Sequence, residues 1–176
     1  MRVPADIQEK FTKLYDTEAD PLFRYCFMRI SNRERAVDMV QEIFVEIWKT
    51  LQRGEVIKYE RAYLFTLAHN RIIDWYRKKK SESLDALLEN EDTAQPFDRA
   101  DEHAHTDIIL SSEAKEVLKA IETLEPTYRD VLYLRFAEDL SPKEIAAIVG
   151  ATANAVSIRI NRGLEKLREQ FHIREQ

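Results

Sequence analysis

The chain has 176 residues, with 27 Lys and Arg against 32 Asp and Glu, and a net charge of −5, which is enough for one domain or two small ones. Three glycines and the absence of alternating apolar–polar runs exclude a hairpin-rich β fold and point to an all-α chain. The single cysteine, Cys26, excludes an internal disulfide and fits a reducing cytoplasm. The amino-terminal MRVPADIQEK lacks the apolar core of a signal peptide, and no apolar run reaches membrane-spanning length. A cytoplasmic protein without membrane insertion is expected.

Charge is unevenly spread. Residues 1–80 hold 16 basic against 12 acidic side chains, residues 81–110 hold 1 against 9, and residues 111–176 hold 10 against 11. The acidity sits in the middle, so the whole-chain charge does not exclude a nucleic-acid partner for the flanks.

In chain order, Ile7, Phe11, Leu14 and Tyr15 give one face of a short helix over Asp6–Tyr15. Asp20-Pro21 predicts a restart, with Leu22, Phe23, Cys26, Phe27 and Ile30 on one side. Ser31-Asn32 breaks that helix and can cap the next. Over Arg33–Leu51, Ala36, Met39, Val40, Ile43, Phe44, Ile47, Trp48 and Leu51 recur at steps of three and one, a broad core face. Gly54 stops it, and Gln52–Tyr59 is a loop. Glu60–Lys80 is a fourth helix, with Leu64, Leu67, Ala68, Ile72 and Trp75 inward. Its other face carries Tyr63, Thr66, Asn70, Ile73, Asp74 and Arg77 and ends in Arg77-Lys78-Lys79-Lys80. Aromatics beside a basic run suit opened nucleic acid, although core packing and a complemented helix dipole explain each part equally well.

Residues 81–110 are acidic, contain Pro96 and lack sustained periodicity, as a flexible linker does. Leu84, Leu87 and Leu88 could form one docked turn. Glu102 and His105 match one Glu-x-x-His pair, but a bundle metal site needs two such pairs and two more glutamates. His103 and His105 are therefore expected to be solvated, and neither metal nor cofactor is expected. Ser112–Leu124 is a helix with Val117, Leu118, Ile121 and Leu124 inward. Pro126 starts another, carrying Val131, Leu132 and Leu134 towards Phe136.

The final stretch, Ser141 to Glu169, reads as a helix-turn-helix. Ser141, Pro142 and Glu144 form a capping box, Gly150 supplies the turn, and Thr152 caps a second helix. Ala153, Val156, Ile160, Leu164 and Leu167 form its apolar stripe. Asn154, Ala155, Ile158, Asn161, Arg162 and Glu165 point away from it. Asn and Arg can contact adenine and guanine edges bidentately, and Ile158 can touch a thymine methyl, or it is simply an exposed apolar side chain. The layout is two small helical domains, 1–80 and 111–176, joined by the acidic linker 81–110.

Three stretches together resemble a known family. LEPTYRDVLYLRFAEDLSPKEIAAIVGATANAVSIRINRGLEKLRE, DMVQEIFVEIW (Asp38 to Trp48) and RAYLFTLAHNRIIDWYRKKK (Arg61 to Lys80) resemble, in this order, the last conserved region, the polymerase-binding helix and the promoter-opening helix of extracytoplasmic-function sigma factors of bacterial RNA polymerase. The resemblance implies a non-enzymatic initiation factor. Asn154, Ser157, Ile158, Asn161 and Arg162 would read the upstream promoter element as duplex, with Arg159 on a phosphate. Family members often have a basic residue in place of Ser157 and a small polar one in place of Ile158, so the preferred DNA sequence is open.

At the downstream element a base is captured after strand separation. Asn70 and Asp74 would sit at the junction, Tyr63 and Thr66 beside a loop pocket, and Arg77, Lys78 and Lys79 on phosphates. Asp38, Gln41 and Glu42 share one stripe and would dock the coiled coil of the polymerase clamp. Arg35 and Val37 stand where acids are common, which weakens that patch. Added negative charge would restore it, and Thr50 is the hydroxyl best placed for a Ser/Thr kinase, with Ser31 second. The plainer reading of Thr50 is a solvated helix end. An anti-sigma protein is a further implied partner. Two other classes stay open from the residues: a helix-turn-helix regulator that never touches polymerase, and, more remotely, a helical metal-bundle enzyme.

Overall fold

In the computed structural model, residues 4–89 and 112–174 are described. They form seven α-helices and, among the described residues, no strand. The chain divides into two compact units, Met1–Thr106 and Asp107–Gln176. The stretch 90–111, including Glu102, His103 and His105, lies outside the described residues, as do the side chains of Leu84, Leu87, Leu88 and Leu118.

The first unit is built on α1 (Ala5–Ile30), α2 (Arg33–Gln52) and α3 (Glu60–Glu89). Lys10 pairs with Glu60 and Glu18 with Arg61 near the start of α3, and Tyr25 meets His69 further on, so α1 and α3 run parallel. Glu42 and Glu46 of α2 both meet Arg71. Asn32 caps α2 by accepting from the Arg35 amide at 2.8 Å, and Ser31 turns the chain in the left-handed region at φ 49°. The predicted inward face of α2 is buried from Ala36 to Leu51 except for Trp48, which is half-buried.

Two boundaries differ from the sequence expectation. The break at Asp20-Pro21 does not occur: α1 is continuous and carries Pro21 inside it. An interior proline costs about 3 kcal/mol. Leu22, Tyr25 and Cys26, on the turn just beyond, have no exposed surface, and burying each such side chain contributes roughly 1.5–3 kcal/mol for the larger ones. Burial outweighs the lost hydrogen bond. The fourth helix, expected to end at Lys80, is α3 and runs on to Glu89. Ser81–Glu89 contains neither Gly nor Pro, and nothing in it stops a helix already propagating.

The second unit packs α4 (Ser112–Glu122), α5 (Pro126–Phe136), α6 (Pro142–Val149) and α7 (Ala153–Arg174). Ile121, Leu124, Val131, Leu132, Leu134, Leu140, Ile145, Ile148 and Val156 make its core. Val117, expected inward, is exposed, as is Phe136 at the end of α5. Gly163 is an inward position that periodicity alone passes over. A Cβ there would lie 2.8 Å from Cδ1 and 3.2 Å from Cγ of Leu132, so α7 lies hard against α5. Gly163→Leu should therefore cost about 1–3 kcal/mol by overpacking, read as a lowered urea midpoint with unchanged helicity before the transition.

Cys26 is buried, and burial pushes its thiol up to about 12, with Arg29 pulling the other way. A raised folded-state value gives stability that is complete below the ordinary value and is lost as pH rises through it. Cys26 should thus ignore a thiol reagent at neutral pH until the chain unfolds. Cys26→Ala should lose stability less steeply than wild type between pH 9.0 and about 12, a difference of up to about 1.4 kcal/mol per pH unit.

Candidate functional site

The helix-turn-helix is fixed by its caps. Glu144 Oε2 accepts from the Ser141 amide at 2.8 Å, and the Glu144 amide donates to Ser141 Oγ at 3.3 Å. Gly150 sits at φ 64°, where a Cβ would be strained. The Ala155 amide donates to Thr152 Oγ1 at 3.1 Å, capping α7. Val156, Ile160 and Leu167 are buried beneath α7, Leu164 is half-buried, and Ala153, expected in that stripe, is exposed. This leaves Asn154, Ile158, Asn161 and Arg162 outward and Ser157 and Arg159 half-buried beside them. Ser157 Oγ donates to the Ala153 carbonyl at 3.0 Å, so it can only accept from a ligand. Ile158 is 43% exposed. Neither Arg159 nor Arg162 makes an ion pair among the described residues, and both guanidinium groups are available.

The second constellation lies along α3. Asn70, Asp74, Arg77, Lys78 and Lys79 are exposed, and Tyr63 and Thr66 are half-buried. Thr66 Oγ1 donates to the Ala62 carbonyl at 2.7 Å, and Arg77 lies 3.4 Å from Asp74. Lys79 Nζ stands 5.2 Å above the Trp75 ring. A concavity of about 580 to 600 Å³ flanks each side of Arg71: one is lined by Arg35, Arg71, Asp74, Trp75, Lys78 and Lys79, the other by Asp38, Gln41, Glu42, Glu46 and their neighbours. Sequence reading pointed to the loop before α3 without naming its tip. There Val56 is 89% and Tyr59 64% exposed, and Lys58 Nζ lies 5.7 Å from the Tyr59 ring centroid. Two bare apolar side chains in a polar loop are the signal that was available. His69 is buried, with Nδ1 3.1 Å from the Tyr25 hydroxyl.

The third constellation is the outward stripe of α2. Asp38, Gln41 and Glu42 are all exposed on it. Arg35, which stands where acids are common in the family, pairs with Glu42 at 3.0 Å, because seven residues place it two turns back on the same face. Beside the stripe, Phe11 and Tyr15 of α1 and Phe44 and Trp48 of α2 line an aromatic groove. Thr50 is neither a solvated helix end nor an accessible hydroxyl. It is 3% exposed, its Oγ1 donates to the Glu46 carbonyl at 2.9 Å, and it accepts from Arg53 at 3.2 Å. Helix periodicity turns it towards Leu51 and Ile47, and a kinase could not reach it in this fold.

Residues 14–82 match the family model for Sigma-70 region 2, which spans α1, α2 and most of α3, and residues 114–167 match that for Sigma-70, region 4, which contains the helix-turn-helix. The chain belongs to the sigma-70 family of RNA polymerase sigma factors. Its relatives place it in the extracytoplasmic-function class. It is 29% identical over 168 residues to the ECF RNA polymerase sigma factor SigW of Bacillus subtilis, covering 93% of this chain and 90% of the relative. It is 26% identical over 165 residues to the RNA polymerase sigma factor YlaC of the same organism, covering 93% of each. The sigma factor RpoE, solved in complex with the anti-sigma factor NepR from Bartonella quintana, shares the fold at a TM-score of 0.70 and 20% identity, over 94% of this chain and 98% of that one. No helix of this sigma factor, among its described residues, is long and apolar enough to cross a membrane.

In this sigma factor the Ser141–Glu144 capping box closes the first turn of α6. Ser141→Ala removes the side-chain acceptor and should lower stability by about 1 kcal/mol, measured by urea titration of the full chain.

Proposed function

We propose that this sigma factor binds core RNA polymerase through the α2 stripe, reads the upstream promoter element with α7, and holds the opened downstream element with α3 and the loop before it. It works where the polymerase is, in the cytoplasm, and carries out no chemistry of its own. The observation that carries the reading is the outward face of α7. Asn154, Asn161 and Arg162 are side chains with bidentate hydrogen-bonding ends on a capped, rigid helix, and Ile158 stands among them as an apolar contact for a thymine methyl. Arg159, half-buried at the edge, reaches a phosphate. Ser157 accepts only, which favours a donor such as a cytosine amino group at that position.

Strand opening needs a different surface. Unstacking one base costs a few kcal/mol, and the protein must repay this with stacking and phosphate attraction. Val56, Lys58 and Tyr59 at the loop tip, Tyr63 and Thr66 beside it, and Asn70, Asp74, Arg77, Lys78 and Lys79 along α3 supply those contacts. Asp38 and Gln41, with Glu42, offer the polymerase clamp coiled coil an acidic docking line. The complex of a similar fold with an anti-sigma factor supports an anti-sigma protein as a further partner.

The test is co-purification with core polymerase followed by transcription from a matched promoter. A regulator that acts on duplex DNA alone would bind the promoter and fail both steps. Arg162→Ala should weaken upstream-element duplex binding by roughly 1–3 kcal/mol and leave core binding intact. Asp38→Lys should abolish co-purification with core while leaving duplex binding unchanged, as read by anisotropy.

A further inference from the structure

The acidic stripe of α2 and the basic surface of α3 are not independent. Arg71 of α3 lies between them and lines the concavity on either side. Its Nη1 is 2.9 Å from Glu42 Oε2 and its Nη2 is 2.7 Å from Glu46 Oε2, while its buried Nε has no hydrogen-bond partner. The other oxygen of Glu42 accepts from Arg35 Nη1 at 3.0 Å. Each oxygen of Glu42 thus holds one arginine, and the acid at the centre of the docking stripe is already neutralised from within. Arg35 and Arg71 also line the concavity that contains Lys78 and Lys79.

These pairs are 30–43% exposed. Ion pairs at such exposure contribute little, because water and salt screen them, so cations of a docking partner can take Glu42 and Glu46 at small cost. Resting on the reading that α3 binds nucleic acid, we propose that Arg35 and Arg71 are exchangeable cations. In the free protein the docking carboxylates hold them. When a basic partner occupies those carboxylates, they turn to the neighbouring concavity and add two phosphate-binding groups to Lys78 and Lys79. Polymerase docking and grip on single-stranded DNA then strengthen each other, since coupling between two sites is reciprocal.

The experiment measures binding of the full-length protein to a labelled single-stranded oligonucleotide by anisotropy across a salt series. Glu42→Gln imitates the occupied state in part: it removes the carboxylate that holds Arg35 and one of the two that hold Arg71. It should raise affinity several-fold and steepen the dependence of log K on log salt by about 0.7 for each arginine that reaches a phosphate. Arg71→Gln in the Glu42→Gln background should remove about half of that steepening. Glu34→Gln takes the same charge from the same helix, where Glu34 is exposed and holds no arginine among the described residues, and should leave the slope unchanged. Equal slopes for Glu42→Gln and Glu34→Gln would overturn the exchange. If Glu42→Gln proves unstable, Glu46→Gln decides by the same criterion, freeing Arg71 from one of its two carboxylates. Ala at both Lys78 and Lys79 separates the two layers: weaker oligonucleotide binding supports the α3 reading whatever the exchange does, and no change overturns that reading itself.

Discussion

Ala36, Met39, Ile43 and Ile47 have no exposed surface, and the seam they form against α1 and α3 dictates which side chains of α2 can meet a partner. A helix with so broad an apolar face has one narrow arc left for polar chemistry. Asp38, Gln41 and Glu42 fall on that arc, and so do Val45 and Lys49. The same logic governs α7, where Val156, Ile160 and Gly163 turn inward and put Asn154, Ile158, Asn161 and Arg162 on the far side. In both units the surface proposed to meet a partner is what core packing leaves over.

Much of this was legible before any coordinate. Ser141, Glu144, Gly150 and Thr152 are local devices whose effect spans only a turn of helix, and each does what its residue type dictates. The three-and-one spacing along α2 gave its buried side with the same directness. Local signals failed where a remote group decides. Pro21 reads as a break, yet Leu22, Tyr25 and Cys26 are held by other helices strongly enough to keep α1 whole. Thr50 reads as a helix end, yet it is buried and its hydroxyl is held by the Glu46 carbonyl and by Arg53. Val117 fits its helical stripe but finds nothing above it within the second unit.

The candidate site was legible in its residue types and less so in its pairings. Arg71 was not singled out, because neither its spacing from Glu42 and Glu46 nor any motif announces a contact 25 and 29 residues away along the chain. The partner of Arg35 was hidden for a related reason: its charge is visible in sequence, but the Glu42 carboxylate it holds is not. Tyr25 and His69, 44 residues apart, belong with them. Long-range polar contacts carry no periodicity of their own, and in this chain they join the elements that helical patterning describes one at a time.

The Tyr25–His69 contact between α1 and α3, with a second tyrosine contact beyond it, has a mechanical meaning. Tyr25 holds His69, and Tyr76 donates its hydroxyl proton to the Arg29 carbonyl. The grips are seven residues apart on α3 and four apart on α1, so one side of α3 is fastened to α1 at two levels about two turns apart along α3. A helix held at two levels can neither roll about its axis nor slide by a residue without breaking both. The face bearing Asn70, Asp74, Arg77 and Lys78 is therefore a rigid anvil. Under the function proposed for α3, bending and unstacking would then take place in the DNA, and little of the binding free energy would be lost to reshaping the protein.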